Sequence, residues 1–197
     1  MLRAFRIFAP FTPAVLSMNY FEVFGLPRSL NLDTAALEQA FHELSRRHHP
    51  DFHTRRPPAE RQQALQMTAL LNDAYRTLRH PVRRAEYLVA LEGFKPDGSK
   101  VPKSFLMEVF EINERLHEIK DAERNGRANA AEVEALRAEI RERIRAFDER
   151  IAVAAREWDR LLAEGASEDE RKNHLAALTE LLSESSYIRN LDRDLGE

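Results

Sequence analysis

The 197-residue chain contains no cysteine. That absence removes disulfides, a thiol nucleophile and thiolate ligation of a metal from its own chemistry. Glycine is scarce, at six residues, and no phosphate-cradling glycine loop can be built from them. No apolar run approaches the roughly 18 residues that a membrane-crossing helix needs. Clusters of β-branched residues are few, while Ala, Leu, Glu and Arg abound, so the chain reads as all-α with no support for strands.

What is present is a core-forming composition, 43% hydrophobic and 32% charged. The net charge of -3 hides an asymmetry. Residues 18–92 carry 10 basic and 9 acidic side chains, whereas residues 93–197 carry 18 and 24. Neither half has the basic excess that phosphate-backbone binding requires, so nucleic acid is not an expected partner, and neither is a membrane.

Residues 1–17 hold two arginines and no acid, a faint likeness to a mitochondrial presequence, but Pro10 and Pro13 break any long amphipathic helix. They are expected to form a disordered extension. Tyr20, Phe21, Val23, Phe24 and Leu26 make a short aromatic-rich helix that ends at Gly25 and Pro27. Asp33 caps a second helix, whose Leu37, Phe41, Leu44 and His48 share one face, with Arg46 and Arg47 off it. His49-Pro50-Asp51 interrupts the helical pattern, because proline cannot continue a helix and pushes the preceding residue out of helical geometry. Pro57-Pro58 restarts it, with Met67, Leu71, Ala74, Tyr75 and Leu78 on one face, so the two helices should pack antiparallel around an exposed loop. Pro81 opens a further helix through Val82, Ala85, Leu88 and Leu91. The turn-rich stretch 93–102 is the expected connector between a first domain, 18–92, and a second, 103–197.

The second domain shows three apolar seams. The first is Phe105, Val109, Ile112, Leu116 and Ile119, ended by Asn125-Gly126. The second runs from Val133 through Leu136, Ile140, Ile144, Phe147, Ile151, Ala154 and Trp158 to Leu161. Ser167 and Glu170 form a capping box before the third, Leu175, Leu178, Leu182, Ile188 and Leu191. Short loops between three seams make an antiparallel three-helix bundle.

Four features invite a functional reading. His48, His49, Asp51 and His53 have metal-ligand chemistry, and with it a metal-dependent hydrolase is the alternative function. Against it, His48 lies on the apolar face and no nucleophile or oxyanion stabiliser accompanies the cluster. A His49-Asp51 acid-base pair fails for the same lack of partners, so no catalytic residue, metal or cofactor is assigned. Arg137, Arg141, Arg143 and Arg145 interleave with Glu134, Glu139, Glu142 and Glu149 at spacings that form intrahelical pairs, which is a solvated face. The helix from Phe105 to Ile119 differs: Leu106, Met107, Phe110, Glu111, Glu114 and Glu118 fall opposite its core stripe. Apolar residues on that side indicate a partner surface, and burial under another helix is the competing explanation.

The aromatic first helix, the His49-Pro50-Asp51 loop and the later Asn72-Asp73-Ala74-Tyr75-Arg76-Thr77-Leu78 with Arg79-His80-Pro81 resemble a J domain. Tyr20-Phe21-Glu22-Val23-Phe24-Gly25-Leu26, Arg84-Ala85-Glu86-Tyr87-Leu88 and Phe105-Leu106-Met107-Glu108 with Glu111-Ile112-Asn113-Glu114 narrow the resemblance. It points to the HscB (Jac-type) co-chaperones of iron-sulfur cluster assembly, over residues 18 to about 195. The resemblance implies a non-enzymatic adaptor. His49, Pro50 and Asp51 would engage a DnaK/HscA-type chaperone and stimulate its ATPase, with Arg46 and Arg47 as basic contacts. Leu106, Met107, Phe110, Glu111, Glu114 and Glu118 would hold an IscU-type scaffold, which must then ligate the cluster that this cysteine-free chain cannot. A scaffold contact from the last helix is also implied; no motif places it, and Leu181 and Leu182 are its candidates. The cysteine-rich zinc module of the animal members is missing. That implies a bacterial-type, cytoplasmic form, or a mitochondrial matrix protein if residues 1–17 act as a presequence.

Overall fold

A computed structural model describes residues 18–49, 51, 56–95, 102–127 and 129–196. Among these there are seven helices and no strand: α1 (Tyr20–Val23), α2 (Thr34–His48), α3 (Pro58–Leu78), α4 (Pro81–Leu91), α5 (Lys103–Arg124), α6 (Ala130–Glu164) and α7 (Glu168–Gly196). Residues 1–17, Pro50, His53 and most of the 93–102 connector, to which the sequence reading assigned roles, lie outside the described residues. The chain divides into two compact units between Tyr87 and Leu88.

In the first unit, the one-turn α1 depends on its caps. Asn19 Oδ1 accepts the Glu22 N–H at 3.0 Å, and the Glu22 carboxylate accepts the Asn19 N–H at 3.0 Å. Asp33 opens α2 as expected, accepting from the N–H groups of Ala35 and Ala36. α2 and α3 pair. Phe41 stacks on Tyr75 with ring centroids 4.3 Å apart, and the Thr68 hydroxyl reaches the His48 carbonyl at 3.2 Å. Seven residues forward along α2 are thus seven residues back along α3, the signature of an antiparallel hairpin. Phe21, Phe24, Leu37, Leu71 and Leu78 are fully enclosed at its centre.

α4 is tied back to the start of this unit. Tyr87 Oη accepts the Tyr20 N–H at 2.9 Å, and the two rings stack at 4.3 Å. Burial first, and the Asp73 charge second, push the Tyr20 phenol above its ordinary value. The buried Arg84 donates to the Leu78 carbonyl at 2.7 Å, satisfying the C-terminal end of α3. The division therefore falls inside α4, one turn before the 93–102 connector where the sequence reading drew it. Helical periodicity runs unbroken through Leu91 and carries no mark of this division.

The second unit is a bundle whose core joins Phe105, Val109, Ile112 and Leu116 of α5, Leu136, Ile140 and Phe147 of α6, and Ile188, Leu191 and Leu195 of α7. α5 and α6 run antiparallel, because Glu108 meets Arg143 while Arg115, two turns on, meets Glu139. α6 and α7 do likewise: His174 Nε2–H donates to the Ala154 carbonyl at 2.8 Å, and further along α7 Arg189 meets Asp148. The reversal at Gly165 requires glycine, since its φ of 68° lies where a side chain is strained. Ser167 and Glu170 then form the expected capping box.

Candidate functional site

Each unit presents one candidate surface. On the first, α2 ends at His48, and His49 is its extended C-cap, with φ -61° and ψ 131°. The Asp51 N–H donates to His49 Nδ1 at 3.3 Å, and Asp51 Oδ2 lies 3.5 Å from the same nitrogen. His42, Ser45, Arg46, His49 and Asp51 line an open hollow beside the loop. Arg46 and Arg47 are exposed in the last turn of α2, where their charge also complements the helix dipole.

The loop is anchored from behind. The Thr68 hydroxyl shares its proton between the His48 carbonyl at 3.2 Å and the Ala64 carbonyl at 2.9 Å. One carbonyl left open by the end of α2 is thereby satisfied by the neighbouring helix. Sequence reasoning missed Thr68, because which α3 residue faces the end of α2 depends on the register between the helices; it also missed His42 and Ser45 of α2 itself. His48 is half-buried, as its place on the apolar face implied, and among the described residues no three His, Asp or Glu side chains converge on a metal-sized site.

On the second unit the outer side of α5 is apolar. Leu106, Met107 and Phe110 are 45%, 67% and 62% exposed, and Glu111, Glu114 and Glu118 are exposed with them. No other helix of this unit covers them, which answers the competing burial reading within it. Of the two candidates from the last helix, Leu182 is buried, whereas Leu181 is partly buried against the core. Tyr187 is the exposed aromatic of α7, lying edge-on to Phe105 with centroids 6.3 Å apart. An aromatic ring just off the apolar seam was the signal available in the sequence.

The arginine-rich stretch of α6 is only partly paired within its own helix. Arg137 binds Glu134 and Arg145 binds Glu142, as the spacing predicts. Arg143, however, reaches across to Glu108, and Glu139 receives Arg115 at 2.6 Å from α5.

The antiparallel hairpin with its interrupting loop, followed by a helical bundle, defines a J-domain protein with an all-α C-terminal domain. Residues 19–87 match the DnaJ domain and residues 101–196 the HSCB C-terminal oligomerisation domain. The chain belongs to the HscB-type J-domain co-chaperones, a family whose partner is an Hsp70-type chaperone. It is 29% identical to the chaperone HscB from Vibrio cholerae, over 91% of this chain and 96% of that one, with a TM-score of 0.63. The human co-chaperone protein HscB shares the fold at 24% identity and a TM-score of 0.71, over 98% of this chain and 90% of that one.

Proposed function

We propose that the chain binds an IscU-type iron-sulfur scaffold protein through α5, delivers it to a DnaK/HscA-type chaperone and stimulates that chaperone's ATPase. Cluster transfer to iron-sulfur proteins is the outcome. His49, Pro50 and Asp51 engage the chaperone, with Arg46 and Arg47 steering the encounter. Leu106, Met107 and Phe110 anchor the scaffold, Glu111, Glu114 and Glu118 meet its basic groups, and Tyr187 adds an aromatic from α7. The observation that carries this reading is the exposure of three large apolar side chains on one helix beside three carboxylates. A solvated helix face has no need of them, and interface centres are built from such anchors. The division into two units agrees with two separate binding tasks.

The test is a pair of assays on the intact chain: calorimetric titration with a purified IscU-type scaffold, and ATPase turnover of a DnaK-type chaperone with and without the chain. Heat of binding and faster turnover are expected. Absence of the first removes the scaffold assignment, and absence of the second removes the loop assignment.

A further inference from the structure

The ion pairs between α5 and α6 form a ladder of alternating charge. Arg143 Nη1 pairs with Glu108, its Nη2 lies 3.5 Å from Glu139 Oε1, and Glu139 Oε2 receives Arg115 Nη1 at 2.6 Å. All four side chains are partly shielded, between 34% and 46% exposed. The two α5 members are seven residues apart, which places them about 10 Å apart along the axis and within about 20° of one another around it. Both sit on the border between the buried stripe and the exposed face. At the start of the same helix, Phe105 is held edge-on between Phe147, at 6.0 Å, and Tyr187, at 6.3 Å.

Apolar packing of α5 against the core is nondirectional and tolerates small rotations of the helix. Guanidinium-carboxylate pairs are directional, and two of them on one flank define a rotation. Among the described residues, no cation pairs with Glu111, Glu114 or Glu118, whereas Glu108 is already engaged. Of the α5 carboxylates, Glu108 thus faces inward to α6 and Asp121 pairs with Arg124 near the helix end, while Glu111, Glu114 and Glu118 stand exposed on the side of the apolar anchors.

We propose that Glu108, Arg143, Glu139 and Arg115 are positioning residues, which set the rotation of α5 so that its apolar anchors and its three outer carboxylates meet the scaffold together. Glu108 is accordingly not a scaffold contact, although it adjoins Met107 in sequence. This inference rests on the scaffold reading of α5.

Glu108→Gln, Arg143→Gln and the double variant are titrated calorimetrically with an IscU-type scaffold, alongside Leu106→Ala/Met107→Ala/Phe110→Ala as the reference. Each single variant is expected to lose about fivefold in affinity, and the double variant no more than Arg143→Gln alone, because that substitution already removes the pair with Glu108. Amide exchange in the free protein should quicken along α5 and stay unchanged in the α6–α7 pairing, with little change in the melting curve. Loss with Glu108→Gln but none with Arg143→Gln would make Glu108 a direct contact and overturn the proposal. So would additive losses, unaltered α5 exchange, or full affinity in both single variants while the reference triple variant has lost binding. If the triple variant itself binds undiminished, the scaffold reading falls and takes the proposal with it.

Discussion

The Thr68 hydroxyl of α3 reaches the His48 carbonyl at 3.2 Å, and through it the interior of one helix holds the last residue of the other before the loop. Replacing Thr68 with Val keeps the shape and removes the hydroxyl that donates to the His48 carbonyl. The expected cost is about 1 kcal/mol of stability, read by urea denaturation. Chaperone ATPase stimulation should fall in part, because the loop's anchor is loosened while its contacts remain. Unimpaired stability and stimulation together would show that this bond does not position the loop.

His49 is expected to separate from Thr68 in kind. Its side chain is 52% exposed and lies outside the core, so His49→Gln should shift stability by about 0.5 kcal/mol or less. Stimulation of the chaperone ATPase should disappear nevertheless. A well-folded His49→Gln chain that still stimulates fully would remove the loop from the mechanism.

Arg46 and Arg47 should act on rate. Exposed cations facing an acidic partner accelerate encounter, and their effect decays within a Debye length of about 10 Å at 0.1 M salt. The association rate with the chaperone should therefore fall as salt rises, and the double alanine variant should be slow at low salt and nearly insensitive to it. Stopped-flow measurement across a salt series checks both.

Much of the fold was legible in the sequence because its determinants are local. Asp33 and the Ser167–Glu170 pair act within a few residues, and the seams through Leu71 or Ile140 follow from the helical repeat alone. What was hidden depends on register between helices. Arg143 has Glu139 one turn away in sequence and was read as an intrahelical pair; that it also takes Glu108 follows only once α5 lies antiparallel at one offset. Leu181 and Leu182 illustrate the same limit, since a seam position tells which side of a helix is buried but not which neighbouring aromatic escapes. The outward side of α5 was readable for the opposite reason: Leu106, Met107 and Phe110 conflict with a solvated helix face whatever the register.

The start of α7 should be sensitive to acid. The Ser167 hydroxyl, foremost, and its backbone N–H hold the Glu170 carboxyl below its ordinary value of 4.5. A carboxyl depressed in the folded state stabilises fully above its unfolded value, and that stabilisation is lost as pH falls through the folded one. The first turn of α7 should thus loosen below about pH 4.5 and not above it. NMR titration of the Glu170 carboxyl checks the sign, and Ser167→Ala should move its midpoint back up toward the ordinary value. A midpoint that does not respond to Ser167→Ala would show that the capping box is not its cause.

The two binding tasks should be separable by substitution. Leu106, Met107 and Phe110 point away from the seam formed by Phe105, Val109, Ile112 and Leu116, so changing all three to alanine removes exposed surface and creates no cavity. Interface anchors typically cost 2 kcal/mol or more when truncated, roughly a thirtyfold loss of affinity. The triple variant should lose the scaffold yet stimulate the chaperone ATPase unaided, and it should no longer stimulate more strongly when scaffold is added. Tyr187→Ser should give a smaller loss, since that ring is only 39% exposed and part of it rests on Phe105. Calorimetry with the scaffold and a thermal melt decide the matter together. Undiminished binding removes α5 as the scaffold surface, whereas a collapsed melt assigns the three residues to the core, which their exposure argues against.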